Sequence, residues 1–311
     1  MSVRDFALLL ATCAIWGFNF VVTKWMVTGQ PWTVAGFDGA PPFFFASLPM
    51  GVIALALGVF LWPRPKQLAR VIAAALCMGA ANFGFFFIGM LEASPSTAAV
   101  VLQTQAPFAT LLAITFLSER VGWRRWSGMA LTFLGVALLA FDPDGFRLSP
   151  GLLWIAASAF STALGSILMK RLGGMGPLQL QAWVGVVCVF PMVGMSLLFE
   201  NDQIPQILTG GWAFFAGLAF TIVLVAMFGH SIYFMMLKKY DVSIVATLTL
   251  MAPAFGMVFG VWVAGDSLTA RFLIGAGLVL TGALMMARRA GRSKAQPALP
   301  PEPVFRPGGP G

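Results

Sequence analysis

The 311-residue chain is 59% hydrophobic and only 10% charged, with a mean hydropathy of +0.87, whereas soluble domains carry about 25% charged residues. One soluble core could not bury this much apolar surface, so the composition excludes an ordinary soluble domain and indicates a membrane protein. The formal net charge of +8 forms no basic stripe with interleaved aromatic residues, which argues against nucleic acid as a partner. The three cysteines lie in apolar runs without metal-ligand spacing, so we expect neither disulfides nor a metal, and no cofactor.

Apolar runs long enough for a bilayer core, about 20 residues each, recur along the chain. They predict ten transmembrane helices, at residues 6–27, 42–62, 68–90, 96–117, 123–141, 149–169, 178–199, 211–236, 242–264 and 268–287. The first run exceeds the apolar region of a signal peptide and lacks an A-x-A cleavage site, so we interpret it as a retained span. Residues 289–311 are rich in proline and glycine and are predicted to be a disordered cytoplasmic tail.

The charges predict how these helices are oriented. Cytoplasmic loops are rich in Lys and Arg. With ten spans and both termini in the cytoplasm, 16 of the 19 basic residues fall inside and seven of the 11 acids fall outside. The high isoelectric point is therefore interpreted as an orientation signal. The patch of Arg120, Arg124 and Arg125 is expected to contact anionic lipid headgroups.

The second half of the chain repeats part of the first when it is shifted by 146 or 147 residues. The residues that come into register are Pro107 with Pro253, Gly128 with Gly275, and Gly135 with Gly282. Because five is an odd number, two five-helix units must insert with opposite orientations. The predicted fold is therefore an all-α membrane protein made of two inverted five-helix repeats, residues 1–141 and 142–288.

Three segments resemble a known family. WGFNFVVTK (16–24) resembles the opening helix of the EamA-type members of the drug/metabolite transporter superfamily. Residues 107–139 are similar to its signature of a proline, an acid after the helix and G-x-x-L-x-x-x-G, and residues 253–285 to its second copy, with Asp266 where Glu is usual. The resemblance covers residues 5–288 and implies a ten-helix inverted-repeat exporter of small metabolites, most similar to bacterial exporters of aromatic amino acids. An arginine common in the family's second span is missing from PPFFFASLPMG (41–51), so no role of that arginine carries over.

Polar residues on the first helix are candidates for a transport pathway. Thr12, Trp16, Asn19 and Thr23 share one helical face. An amide facing lipid would lack partners at a cost of several kcal/mol, so this face is predicted to meet protein or a watery cavity. Asn19 either lines that cavity or bonds a neighbouring helix. Lys24, about one turn from the outer end, either snorkels to the interface or meets the carboxylate of a departing amino acid.

Two other spans supply further candidate substrate-binding residues. In the sixth span, Trp154, Ser158 and Ser161 repeat the spacing seen on the first helix. Serines in membrane helices also allow close packing, so these serines are candidates either for substrate binding or for helix packing. In the third span, Asn82 and Phe86 would suit a cavity for flat apolar side chains, although packing is the commoner role of a phenylalanine in this chain.

The last candidates lie near helix kinks and in the eighth span. His230 is the only histidine, with Tyr233 one turn on, and is either functional or a neutral hydrogen-bonded residue. Pro107 and Pro253 each free the carbonyl four residues earlier. The residues that carry these carbonyls are Gln103 and Thr249. They would bind an ammonium group, form a gate or mark a simple packing kink.

These features predict a bacterial inner-membrane exporter of small amphipathic metabolites, aromatic and other apolar amino acids above all, that works by alternating access. No Asp or Glu lies deep in a predicted span, which favours uncoupled facilitated transport. The alternative is a multidrug efflux transporter driven by the proton gradient, because an aromatic cavity would also accept flat drugs. The single acid pair, DPD (142–144), lies in a predicted tight turn and argues against an enzyme. The expected partners are a small-molecule substrate and membrane lipid, and the expected state is a monomer.

Overall fold

The computed structural model describes residues 1–29, 37–142, 147–170, 175–240 and 242–287. The predicted tail at 289–311 lies outside these residues. Over the described ranges the chain is helical almost throughout. The one pair of short strands there, β1 (Phe141–Asp142) and β2 (Arg147–Leu148), is antiparallel.

The helices follow one another with short connections. They are α1 (Val3–Thr28), α2 (Pro42–Ala56), α3 (Leu68–Ala75), α4 (Asn82–Glu92), α5 (Pro95–Val101), α6 (Gln105–Leu117), α7 (Trp123–Ala140), α8 (Pro150–Lys170), α9 (Pro177–Phe199), α10 (Gln203–Thr209), α11 (Gly211–Ala219), α12 (His230–Lys239), α13 (Val242–Thr249), α14 (Met251–Trp262) and α15 (Ala270–Ala287). Two π-helical segments, Leu76–Ala81 and Phe220–Gly229, join α3 to α4 and α11 to α12. A 3-10 turn, Leu102–Thr104, joins α5 to α6.

Seven helical stretches among the described residues are long and apolar enough to cross a membrane. They are Val3–Thr28, Leu68–Glu92, Pro95–Leu117, Pro150–Met169, Leu178–Phe199, Gly211–Tyr233 and Ala270–Ala287. The chain is therefore a multi-pass membrane protein.

Three of the ten predicted spans are not among these seven stretches, each for an identifiable reason. The span predicted at 42–62 is helical only to Ala56, after which Gly58–Leu61 forms a 3-10 turn. The span predicted at 242–264 is divided at Leu250 into α13 and α14. In α7, two arginines in the first turn lower the mean hydropathy of an otherwise apolar 18-residue helix.

Helices α7 and α15 cross closely at two pairs of glycines. A Cβ atom on Gly135 would lie 2.6 Å from the carbonyl oxygen of Gly275, and one on Gly128 would lie 2.9 Å from that of Gly282. The earlier glycine of α7 thus meets the later glycine of α15, so the two helices run antiparallel. Only glycine permits backbones to approach this closely.

At one end of the molecule, carboxylates from one half of the chain cap helices of the other half. The contacts are Glu92 Oε2 with the N–H of Gly151 (2.9 Å), Glu200 Oε1 and Oε2 with the N–H groups of Phe43 and Phe44 (2.6 and 3.0 Å), and Asp266 Oδ2 with the N–H of Ser96 (2.9 Å). Each carboxylate satisfies helix N-terminal donors that would otherwise lack partners. We call this the capped end; it is where α2, α5 and α8 begin.

At the opposite end, the first turn of α1 is tied to the end of α12. The Asp5 carboxylate accepts hydrogen bonds from Lys239 Nζ and Tyr240 Oη, both at 2.6 Å. The Asp5 side chain is buried, whereas that of Lys239 is 57% exposed. The hydrogen bond that Lys239 donates to the Asp5 carboxylate raises the pKa of Lys239 above its usual value.

Candidate functional site

A cavity of about 240 Å³ lies between α1, α2, α4, α9 and the chain from Phe220 to His230. Its walls are predominantly apolar and include Met50, Met78, Phe83, Phe86 and Phe87. The polar residues that line it are Asn19, Thr23, Gln181, Thr221 and His230. Within the described part of the chain, no Asp, Glu, Lys or Arg contributes to this wall. Small-molecule sites commonly combine an apolar lining with a few polar groups in this way.

The two ends of the cavity differ. Toward the capped end, the ring of Phe45 lies 5.4 Å from that of Phe87 and 5.9 Å from that of Phe214, and all three side chains are buried. Toward the opposite end, the cavity is lined by Ile53 near the end of α2 and by Gln181 near the start of α9. The aromatic cluster therefore packs on the side of the cavity where the carboxylates cap the helices.

Trp16 and Tyr233 support the cavity wall from behind. The Trp16 ring lies 5.4 Å from the His230 ring and 5.6 Å from the Tyr233 ring. His230 Nδ1 lies 3.0 Å from the carbonyl oxygen of Val225, within the π-helical segment. A π-helical turn leaves carbonyls out of the regular ladder, and His230 occupies one of them. The structure thus brings Trp16, His230 and Tyr233 together, with His230 on the cavity surface.

Asn19 and Thr23 lie one helical turn apart on α1, and both line the cavity. Asn19 Oδ1 is enclosed and has no hydrogen-bond partner. Thr23 is 2% exposed. Elsewhere on the same helix, Thr12 and Thr28 donate to the carbonyl oxygens four residues earlier, at 3.0 and 2.8 Å. Phe86, also on the cavity wall, is 8% exposed.

Three other sequence candidates make polar contacts outside the cavity that join α8 to α4 and to the π-helical segment before it. Asn82 Oδ1 accepts hydrogen bonds from Ser158 Oγ at 2.6 Å and from Thr162 Oγ1 at 2.8 Å. Ser161 Oγ donates to the carbonyl oxygen of Cys77 at 2.9 Å. These side chains satisfy one another, so they hold two helices together and leave few polar groups for a ligand.

Lys24 and Trp154 lie away from the cavity wall. Lys24 Nζ donates to the carbonyl oxygens of Met90 and Leu91, each at 2.9 Å, and so ties α1 to the end of α4. Trp154 is 41% exposed and stacks on Phe85, with 5.4 Å between ring centroids. It therefore lies on the outer surface of the helix bundle.

The two prolines stand just after interruptions of their helices. The 3-10 turn Leu102–Thr104 precedes α6, which contains Pro107, and α13 ends at Thr249 before α14, which contains Pro253. Gln103 lines a separate pocket of about 320 Å³ that also includes Arg125 and Leu250. Neither Gln103 nor Thr249 lines the cavity between α1 and α12.

Sequence reasoning missed two polar residues of the cavity. Gln181 lies in the first turns of α9, and Thr221 is the second residue of the second π-helical segment, where its hydroxyl donates to the carbonyl oxygen of Gly217. Thr221 is an isolated polar residue in an apolar run, the same signal that drew attention to Asn19, whereas Gln181 follows Gln179 by two residues. In the described residues, no group of three His, Cys, Asp or Glu side chains could hold a metal ion.

Comparison with known proteins gives the family. The model of the EamA-like transporter family matches the chain twice, at residues 5–141 and 149–288. A probable amino-acid metabolite efflux pump of Salmonella typhimurium is 30% identical over 91% of this chain and 94% of its own length, and one of Escherichia coli is 28% identical over the same shares. A probable terminal-alkyne amino-acid exporter of Streptantibioticus cattleyicolor is 24% identical over 89% of this chain and 94% of its own length.

A protein of known crystal structure shares the fold. It superposes with a TM-score of 0.56 at 20% identity, and the match covers 93% of this chain and 99% of the other. At that identity the likeness concerns the fold alone. The two family matches together cover nearly all of the described residues and confirm the family predicted from the sequence motifs. The chain is a member of the EamA-like transporter family and thus a transporter rather than an enzyme.

Proposed function

We propose that this protein exports small apolar amino acids, aromatic ones among them, across the bacterial inner membrane. The observation that carries the proposal is the apolar cavity with a few polar groups between helices of the two halves of the chain. Burying an unpaired ionised side chain in such a site would cost several kcal/mol, so side chains without charge are favoured as cargo. The names of the bacterial relatives, which are efflux pumps or exporters of amino-acid compounds, agree with this cargo.

The transporter is built from two inverted five-helix halves, residues 1–141 and 142–288. Two observations support this architecture beyond the double family match. Both α7 and α15 are 18 residues long, they begin 147 positions apart, and they cross antiparallel, as equivalent helices of an inverted repeat must. The π-helical segments Leu76–Ala81 and Phe220–Gly229 also fall at equivalent positions of the two halves.

The described state is one that loads from the cytoplasm. The aromatic cluster of Phe45, Phe87 and Phe214 blocks the cavity toward the capped end, while Gln181 extends the cavity toward the other end. The excess of Lys and Arg in loops assigns the uncapped end, and both termini, to the cytoplasm. Alternation then requires the carboxylate caps to release when the cavity opens outward.

Transport is uncoupled to protons. His230 is the one ionisable side chain on the cavity wall among the described residues, and its ring is already held by the Val225 carbonyl and by Trp16. A proton-driven carrier needs a group that gains and loses its proton in each cycle. The absence of a carboxylate from this part of the wall favours facilitated export over the proton-driven multidrug alternative.

Flux measurements in proteoliposomes test the proposal. The purified protein is reconstituted, and release of labelled phenylalanine, methionine, threonine, lysine and a cationic drug is followed with and without an imposed pH gradient. We expect saturable release of phenylalanine and methionine, little release of lysine, and no acceleration by the gradient. Drug flux that rises with the gradient, together with no amino acid flux, would favour the multidrug alternative.

A further inference from the structure

Two polar side chains of α1 lie on the cavity wall, and the oxygen of one of them has no hydrogen-bond partner within the described part of the protein. Asn19 Oδ1 is fully enclosed without a hydrogen bond, and Thr23, one turn later, lines the same cavity and is 2% exposed. Thr12 and Thr28 on the same helix do bond to backbone carbonyls. Of these three hydroxyl residues, Thr23 is the one that lies on the cavity wall.

An unsatisfied buried polar group is costly. Leaving one without a partner destabilises a protein by about 1–3 kcal/mol, and a leucine of similar size would avoid that cost at position 19. Where such a group adjoins a cavity, its presence is explained if a bound ligand supplies the missing hydrogen bond. Rotation of the Asn19 amide about χ2 exchanges its oxygen and nitrogen, so the oxygen can turn toward a donor in the cavity.

We propose that the Asn19 amide oxygen and the Thr23 hydroxyl bind the α-ammonium group of the exported amino acid. This assignment rests on the amino acid export proposed above and names the chemical group by which the cargo is recognised. An ammonium group offers three donors, and two neutral oxygens one helical turn apart on the same face of α1 would accept two of them. Hydrogen bonds to a charged group are about twice as strong as neutral ones.

The pair of Asn19 and Thr23 would also select cargo that carries an ammonium group without placing a negative charge in the cavity. A carboxylate at this position would hold the ammonium group tightly and oppose its release outward. Two neutral acceptors stabilise it enough to discriminate, yet leave the cavity uncharged when the cargo departs. Molecules that lack the amine but keep the same side chain and carboxylate should therefore be poor ligands, although the apolar wall around Phe86 would accept them.

The test compares phenylalanine with its des-amino analogue, 3-phenylpropanoate, as inhibitors of labelled methionine counterflow in proteoliposomes. For the wild type we expect phenylalanine to inhibit at a concentration about 10 to 100 times lower than the analogue. The double substitution Asn19→Leu with Thr23→Val should bring this ratio close to one. Where a variant carries no flux, its melting temperature is measured at increasing concentrations of each compound. The ratio of the concentrations that raise the melting temperature equally then replaces the ratio from inhibition.

Two variants serve as matched controls. Thr12→Val removes a buried hydroxyl of the same helix that already has a partner. Trp183→Phe removes the Trp183 Nε1 group, which is also buried without a partner but does not line the cavity. Both should keep the wild-type ratio. Asn19→Leu should in addition keep or raise the melting temperature, which a residue with a structural hydrogen bond would not.

The outcomes separate this inference from the proposed function. If the wild type shows no saturable amino acid flux, the proposed function fails and this inference fails with it. If the wild type transports and discriminates, but the double variant keeps the same ratio, the pair is not the ammonium site while the export function stands. If the leucine and valine variants do not fold, Asn19→Ser and Thr23→Ala provide smaller substitutions, and an unchanged ratio in both would equally overturn the inference.

Discussion

Replacing Gly135 by alanine should loosen the crossing between α7 and α15. The new Cβ would lie 2.6 Å from the carbonyl oxygen of Gly275, whereas an ordinary carbon–oxygen contact is about 3.3 Å or longer. The helices would have to separate by about 0.7 Å, and overpacking of this kind costs about 1–3 kcal/mol. Alanine regains about 0.5–1 kcal/mol through its helix propensity, so the middle of both ranges leaves a net loss of about 1.3 kcal/mol.

The matched control is Gly277→Ala on α15, where a Cβ would have no neighbour within 4 Å. This variant gains the helix propensity without the clash. In thermal unfolding of the purified protein in detergent, we expect Gly135→Ala to lower the melting temperature by about 3–5 °C, at about 2–4 °C per kcal/mol, and Gly277→Ala to raise it slightly. Gly282→Ala, at the equivalent position of the second half, should behave like Gly135→Ala. Equal shifts for Gly135→Ala and Gly277→Ala would refute the close crossing.

Three further predictions concern the polar contacts that hold the helices. Glu200→Ala should lower stability by about 0.5–2 kcal/mol in thermal unfolding, because the first turn of α2 loses the carboxylate that caps two of its N–H groups, and Glu200→Gln should lose less. Asn82→Ala should lower the melting temperature because Ser158 Oγ loses its acceptor, but leave the KM of transport unchanged; a raised KM would move Asn82 into the substrate site. Asp5 raises the pKa of Lys239 in the folded protein. The stability that this pair adds is therefore fully present below the usual pKa of lysine, and it is lost only as the pH rises through the higher pKa of Lys239 in the folded protein. The difference in melting temperature between wild type and Asp5→Asn should therefore stay constant from about pH 6 to 9.

The sequence predicted the membrane character and the family because both depend on local composition and short motifs. Apolar runs of span length identify membrane helices without knowledge of their neighbours. The interruptions were harder to foresee. Proline marks the break before Pro253, but the π-helical segments at Leu76–Ala81 and Phe220–Gly229 carry no comparable local signal. Their geometry follows from packing against neighbouring helices.

The candidate site was likewise predictable only in part from the sequence. Asn19 and His230 stood out as polar residues in apolar runs, and both line the cavity. Asn82 and Ser158 gave the same signal, yet they bond to each other. Helical periodicity states which residues share a face but not which helix that face meets. Only the three-dimensional arrangement separates a polar residue paired with its neighbour from one left for a ligand.

The most direct test of the account fills the cavity. Ala226 lines the cavity, so Ala226→Trp would place an indole in a space of about 240 Å³. The control is Phe190→Trp on α9, because the Phe190 side chain is 72% exposed and does not line the cavity. The measurement is saturable methionine counterflow in proteoliposomes with equal amounts of folded protein. We predict that Ala226→Trp abolishes the flux while Phe190→Trp keeps it. Wild-type flux in a folded Ala226→Trp variant would contradict the assignment of this cavity as the transport site.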